Sequence, residues 1–111
     1  MSRPFVPTAI RLEKAMKELQ LSLQANKWDE ARKNCDVASS EILHHILEKN
    51  GHYNTYTKGL EDLYDTCSRC VYYVNMPLYR CITYRQPWTP VAVQTYAGIV
   101  WQMYETECLM R

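Results

Sequence analysis

Glycine is scarce in this chain, with three in 111 residues, and phenylalanine occurs once. So few glycines leave no room for a glycine-rich phosphate loop and disfavour a turn-rich β fold. Long apolar runs are missing too. The longest in the last third, Ala97-Gly98-Ile99-Val100-Trp101, falls far short of the ~20 residues that span a bilayer, so no membrane segment is expected. Met1-Ser-Arg-Pro-Phe-Val-Pro lacks the apolar stretch of a secretory signal. The cysteines form an odd set of five, Cys35, Cys67, Cys70, Cys81 and Cys108, which does not read as a disulfide framework. Reduced thiols and an intracellular location, cytoplasmic or nuclear, are the expectation.

An excess of either charge is also absent. Lys and Arg number 13 against 12 Asp and Glu, giving a formal net charge of +1. The balance holds in each half, eight against seven over residues 1–52 and five against five over 53–111. Strong non-specific phosphate binding through whole-chain charge needs many cations on one surface and is therefore not expected, which leaves a local patch of three arginines.

Catalytic constellations are equally thin. His44 and His45 are adjacent on one helix, where neighbours point about 100° apart and cannot face one ligand together. Ser39-Ser40 lies inside a helix with no glycine elbow. Glu61, Asp62 and Asp65 suit the first turns of a helix, where the dipole favours negative charge. With no nucleophile and base to pair, the chain is not expected to be an enzyme, and no cofactor is implied. Cys67-Ser-Arg-Cys70 invites a redox or zinc reading, but the acidic residues before it disfavour a thiolate. A zinc-stabilised domain using Cys67, Cys70 and Cys81 lacks the second close-spaced ligand pair of a complete site, and three-residue spacing also suits small apolar packing on one helix face.

What is present is helical periodicity. Leu12, Ala15, Met16, Leu19 and Leu23 recur at three- and four-residue steps and predict a helix over about 8–25. After Ala25-Asn26-Lys27 the stripe restarts with Trp28, Ala31, Cys35, Ala38, Ile42 and Ile46. It runs to Lys49, before the stop signal Asn50-Gly51. A third stripe, Leu60, Leu63, Tyr64, Cys67, Val71 and Val74, ends before Asn75-Met76-Pro77. Thr89-Pro90 supplies a capping hydroxyl followed by proline at the first helical position. The last helix should then run from 90 to about 108, with Val93, Tyr96, Ala97, Val100, Met103, Tyr104 and Cys108 in register. The expected fold is all-α: one domain over 1–111, a compact antiparallel bundle of about four helices with an irregular or short-helix segment near 76–88.

The second abundance is aromatic. All nine tyrosines follow residue 52, and between Thr66 and Tyr104 the only charges are Arg69, Arg80 and Arg85. Tyr79-Arg80, Tyr84-Arg85 and Trp88 occupy the stretch that resists a helix assignment. Arginine forks grip phosphates or carboxylates and stack on rings, while Tyr and Trp give contact area at low entropy cost. Trp101 widens the apolar face of the last helix beyond one core contact. These residues point to a small interaction module that binds a protein partner, or a second copy of itself, through Tyr79, Arg80, Tyr84, Arg85, Trp88 and Trp101. An RNA- or DNA-binding alternative places Arg69, Arg80 and Arg85 on phosphates with Trp88 stacked on a base. In a purely structural alternative the tyrosines line the bundle and the arginines pair with acidic residues of the earlier helices.

Overall fold

A computed structural model describes residues 8–53 and 55–109; the amino-terminal segment considered above for a secretory signal lies outside them. Among the described residues there are five α-helices and no strands: α1 Thr8–Gln24, α2 Trp28–Lys49, α3 Leu60–Val71, α4 Met76–Ile82 and α5 Pro90–Tyr104. A π-helical turn, Glu105–Leu109, continues α5.

The first hairpin forms because Asn26 takes the left-handed conformation, φ 56°, which asparagine tolerates better than most residues. The Lys27 amide donates back to the Ser22 carbonyl at 3.0 Å and closes the end of α1. Two side-chain contacts then fix α1 on α2. Arg11 Nε meets Glu41 Oε2 at 2.9 Å, and Asn34 Nδ2 donates to both the Glu18 carbonyl, 3.2 Å, and Ser22 Oγ, 3.1 Å.

Helix α2 is the central element, packed against α1, α3 and α5. Its buried stripe begins with small residues, Ala31, Cys35, Ala38 and Ser39, and continues with Ile42, Leu43, Ile46 and Leu47. Small residues let neighbouring backbones approach, and the larger ones fill the core beyond them. Leu12, Met16 and Leu19 of α1, Leu63 and Tyr64 of α3, Leu78 of α4, and Val93, Tyr96 and Val100 of α5 complete one core. No helix among the described residues is long and apolar enough to cross a membrane.

The third helix ends earlier than its apolar stripe suggests, at Val71. Tyr72 turns left-handed, φ 56°, and Val74 is left 70% exposed. The cause lies downstream. Asn75 caps α4 by accepting from the Leu78 amide at 3.1 Å, while its own amide donates to the Tyr64 hydroxyl at 2.9 Å. Those bonds require the chain to leave α3 before Asn75. The ambiguous stretch near 76–88 therefore resolves into α4, with a proline in its first turn, followed by a loop to Thr89. At Thr89 the expected cap is present, Oγ1 accepting from the Ala92 amide at 3.1 Å.

Candidate functional site

The aromatic segment after α4 is folded onto the core. Tyr84 meets Trp88 with ring centroids 4.7 Å apart, and Trp88 stacks on Tyr96 at 5.5 Å and 24°. Tyr96 is fully buried. Its hydroxyl donates to Asp36 Oδ1 at 2.7 Å and accepts from Ser39 Oγ at 3.3 Å. Burial first, then the Asp36 charge, push the Tyr96 phenol above its ordinary pKa, so it stays a neutral donor. The ladder Tyr84, Trp88, Tyr96 thus pins the α4–α5 loop to α2.

Beside this ladder lies a cleft of about 290 Å³ whose charged walls are Arg32, Asp36, Glu61 and Arg85. Each cation has a carboxylate partner: Arg32 meets Asp36 at 3.2 Å and Arg85 meets Glu61 at 3.6 Å. Tyr79 is half-buried and packs on Tyr64, centroids 5.2 Å apart. Arg69 and Arg80 are exposed and make no ion pair with described residues. The structure therefore brings Tyr84, Arg85 and Trp88 together around one cleft, with Arg80 outside its lining.

The cysteines are dispersed by burial. Cys67 is fully buried and its thiol donates to the Leu43 carbonyl at 3.5 Å, while Cys70, three residues on, is exposed. Burial pushes the Cys35 and Cys67 thiols up to about 12 and Cys108 to about 11. Protonated thiols are poor nucleophiles and poor metal ligands. Among the described residues no group of three or more His, Cys, Asp or Glu is placed to hold a metal ion, so Cys67, Cys70 and Cys81 do not form a zinc site there. His44, half-buried, bonds through Nδ1 to the Ser40 carbonyl at 2.9 Å within its own helix.

Trp101 stands apart from the Tyr84 cleft. It is 39% exposed, packs at a tilt on Tyr104 with ring centroids 5.9 Å apart, and forms one wall of a groove of about 520 Å³ between α1 and α5. Trp28, at the start of α2, supplies a second indole. Leu19, Leu23 and Ala97 line the groove with apolar surface, and at Gly98 an added Cβ would meet nothing within 4 Å. Gln20, Asn26 and Gln94 add three carboxamides, and none of the described lining residues is charged. The side chains of these three amides and both indoles make no hydrogen bond with described residues. The groove is thus apolar at its centre and rich in unused donors at its walls, a combination common to ligand sites.

Trp101 stands out in the sequence, but the residues around it in the groove do not. An isolated glycine inside a helical pattern, Gly98, was the available signal, and in the structure it marks open space, with nothing within 4 Å of an added Cβ. Compared with family models, curated proteins and solved structures, the chain matches none.

Proposed function

We propose that this chain is a helical interaction module that binds an extended segment of a protein partner in the groove between α1 and α5. The observation that carries this reading is a set of donors that no described residue engages, two indole N–H groups and three carboxamides, around an apolar channel with no charge among its described lining residues. A helix in the groove would satisfy its own backbone and leave those donors idle. An extended peptide offers free carbonyls to them and side chains to the indoles. Half-exposed tryptophans are also the residue type most enriched at binding hot spots.

The Tyr84, Arg85 and Trp88 surface is the second contact candidate, and it carries less weight. Its rings are engaged in holding the loop, and its cations face carboxylates across the cleft. The nucleic-acid reading draws support from Arg69 and Arg80, the two arginines of that set without an ion pair among the described residues, but two phosphate contacts give only weak binding.

Selection of a random peptide library on the wild-type protein tests the proposal, with Gly98→Leu as counter-screen. Ligands should be recovered that bind wild type and lose about ten-fold or more affinity on Gly98→Leu or Trp101→Ala. Ligands that ignore both substitutions but are lost on Arg80→Ala with Arg85→Ala would move the contact to the α4 side. RNA or DNA binding that falls with salt and with the arginine pair would replace the proposal with the nucleic-acid reading.

A further inference from the structure

A second cleft, of about 370 Å³, shares no described lining residue with the α1–α5 groove. It forms where the loop between α2 and α3 passes Ser40 and His44 of α2, and Leu60 and Leu63 of α3 give it apolar surface. The end of the loop is anchored, because the Lys58 amide donates to Asp62 Oδ2 at 2.9 Å in the first turn of α3. Thr55, Tyr56, Thr57 and Lys58 line the cleft from the loop side.

The polar groups gathered there are nearly all donors. Ser40, Thr55, Tyr56 and Thr57 bring four hydroxyls and Lys58 an ammonium, and none of these side chains bonds to a described residue. His44 Nδ1 faces the Ser40 carbonyl at 2.9 Å. A carbonyl only accepts, so Nδ1 carries a proton, and Nε2 becomes a second donor when the ring is cationic.

No carboxylate stands among the described lining residues. The acids that flank these positions in the sequence have other partners. Glu41 meets Arg11 at 2.9 Å, Asp62 holds the Lys58 amide, and Glu61 meets Arg85 at 3.6 Å, while Glu48, one turn after His44, lies outside the lining. Lys58 is thus a cation with no counter-charge among the described residues, set beside hydroxyls that are themselves unengaged.

We infer that this cleft binds a phosphate group, with the Lys58 ammonium and the His44 imidazolium on its charge and the Ser40, Thr55 and Thr57 hydroxyls on its oxygens. So many donors around one or two cations match an anion with three strong acceptor oxygens and close to two charges. A carboxylate, with two oxygens and one charge, leaves part of the set idle. Side chains supply these donors, so no glycine-rich loop is needed. Free phosphate and a phosphate monoester share this chemistry. Tyr56, 87% exposed, and half-buried Leu60 offer an ester group apolar surface that free phosphate does not use.

Titration of the full chain with inorganic phosphate and with phenyl phosphate, at constant ionic strength, tests this through the NMR signals of the His44 ring and the amides of residues 55–60. Saturable shifts centred on His44 and Lys58 are expected, with Kd of about 1–10 mM or tighter. Equal affinity for the two probes identifies free phosphate as the occupant, and tighter binding of phenyl phosphate identifies an ester. Lys58→Ala should weaken binding about ten-fold or more. Thr55→Val with Thr57→Val keeps the charge and should weaken it about five-fold or more. Arg69→Ala removes a cation outside the cleft and should change nothing. These positions are exposed or half-buried, so melting temperatures should stay near that of wild type. Shifts that chloride reproduces at the same ionic strength overturn the inference. Binding that survives Lys58→Ala or the threonine pair, or that is lost with Arg69→Ala, overturns it as well. Because the two sites share no described residue, either result leaves the groove reading to its own test.

Discussion

Tyr96 and Asp36 lie 60 positions apart in the chain and 2.7 Å apart in the fold, the phenol of α5 donating to the carboxylate of α2. That bond is the polar end of a ladder of rings running outward through Trp88 to Tyr84. It explains why an aromatic-rich segment with no helical register is nonetheless held in place.

Tyr96→Phe removes the donor to Asp36 and the acceptor for Ser39 while keeping the ring. The expected loss is about 1–2 kcal/mol of stability, read by urea denaturation. Combined with Asp36→Ala, which also frees Arg32, the double variant should lose less than the sum of the two single losses, because both substitutions remove the Tyr96–Asp36 bond.

Trp88 and Trp101 should behave oppositely. Trp88→Ala opens the ladder and should cost about 2–3 kcal/mol. Trp101→Ala removes a partly exposed wall and should cost about 1 kcal/mol or less, with its effect falling on binding instead. Thermal melts of the two variants decide this.

Gly98→Ala should stabilise the protein by about 0.5–1 kcal/mol, since alanine is the better helix former and its methyl meets nothing within 4 Å. An equal melting temperature, or a lower one, would show that the helix at Gly98 differs from the one described.

The buried thiols give a pH dependence whose sign follows from linkage. Cys35 and Cys67 are raised from 9.0 to about 12, so both folded and unfolded chains hold these protons below pH 9. Above that the unfolded chain loses them first, and stability falls as pH climbs toward the folded value. Denaturation midpoints should therefore drop above about pH 9, and Cys67→Ala should shallow the drop. Under native conditions iodoacetamide should modify exposed Cys70 first and reach Cys35 and Cys67 only on unfolding.

Much of the fold was legible because its signals are local. The apolar stripes of α1, α2 and α5 and the Thr89-Pro90 cap depend on residues within a few positions of one another. The end of α3 was not legible, because Tyr72 leaves the helix to satisfy bonds among Asn75, Tyr64 and Leu78 that exist only once α3 and α4 pack. For the same reason Tyr84 and Trp88 looked free in the sequence, where Tyr96 as a stacking partner cannot be seen. The apolar stripe of α5 shows Trp101 as surplus surface, but the groove also needs Trp28, 73 positions earlier in the chain. Only the packing of α5 beside the α1–α2 hairpin brings the two indoles to one channel.

The indole N–H signals in a proton–nitrogen NMR spectrum test the central claim most directly, since the chain carries three tryptophans, two in the groove and one in the ladder. Titration with a peptide selected on the wild-type protein should shift the Trp28 and Trp101 signals together and leave Trp88 in place. A shift of Trp88 with Trp28 and Trp101 unmoved would contradict the account and place the contact on the Tyr84, Arg85 and Trp88 surface.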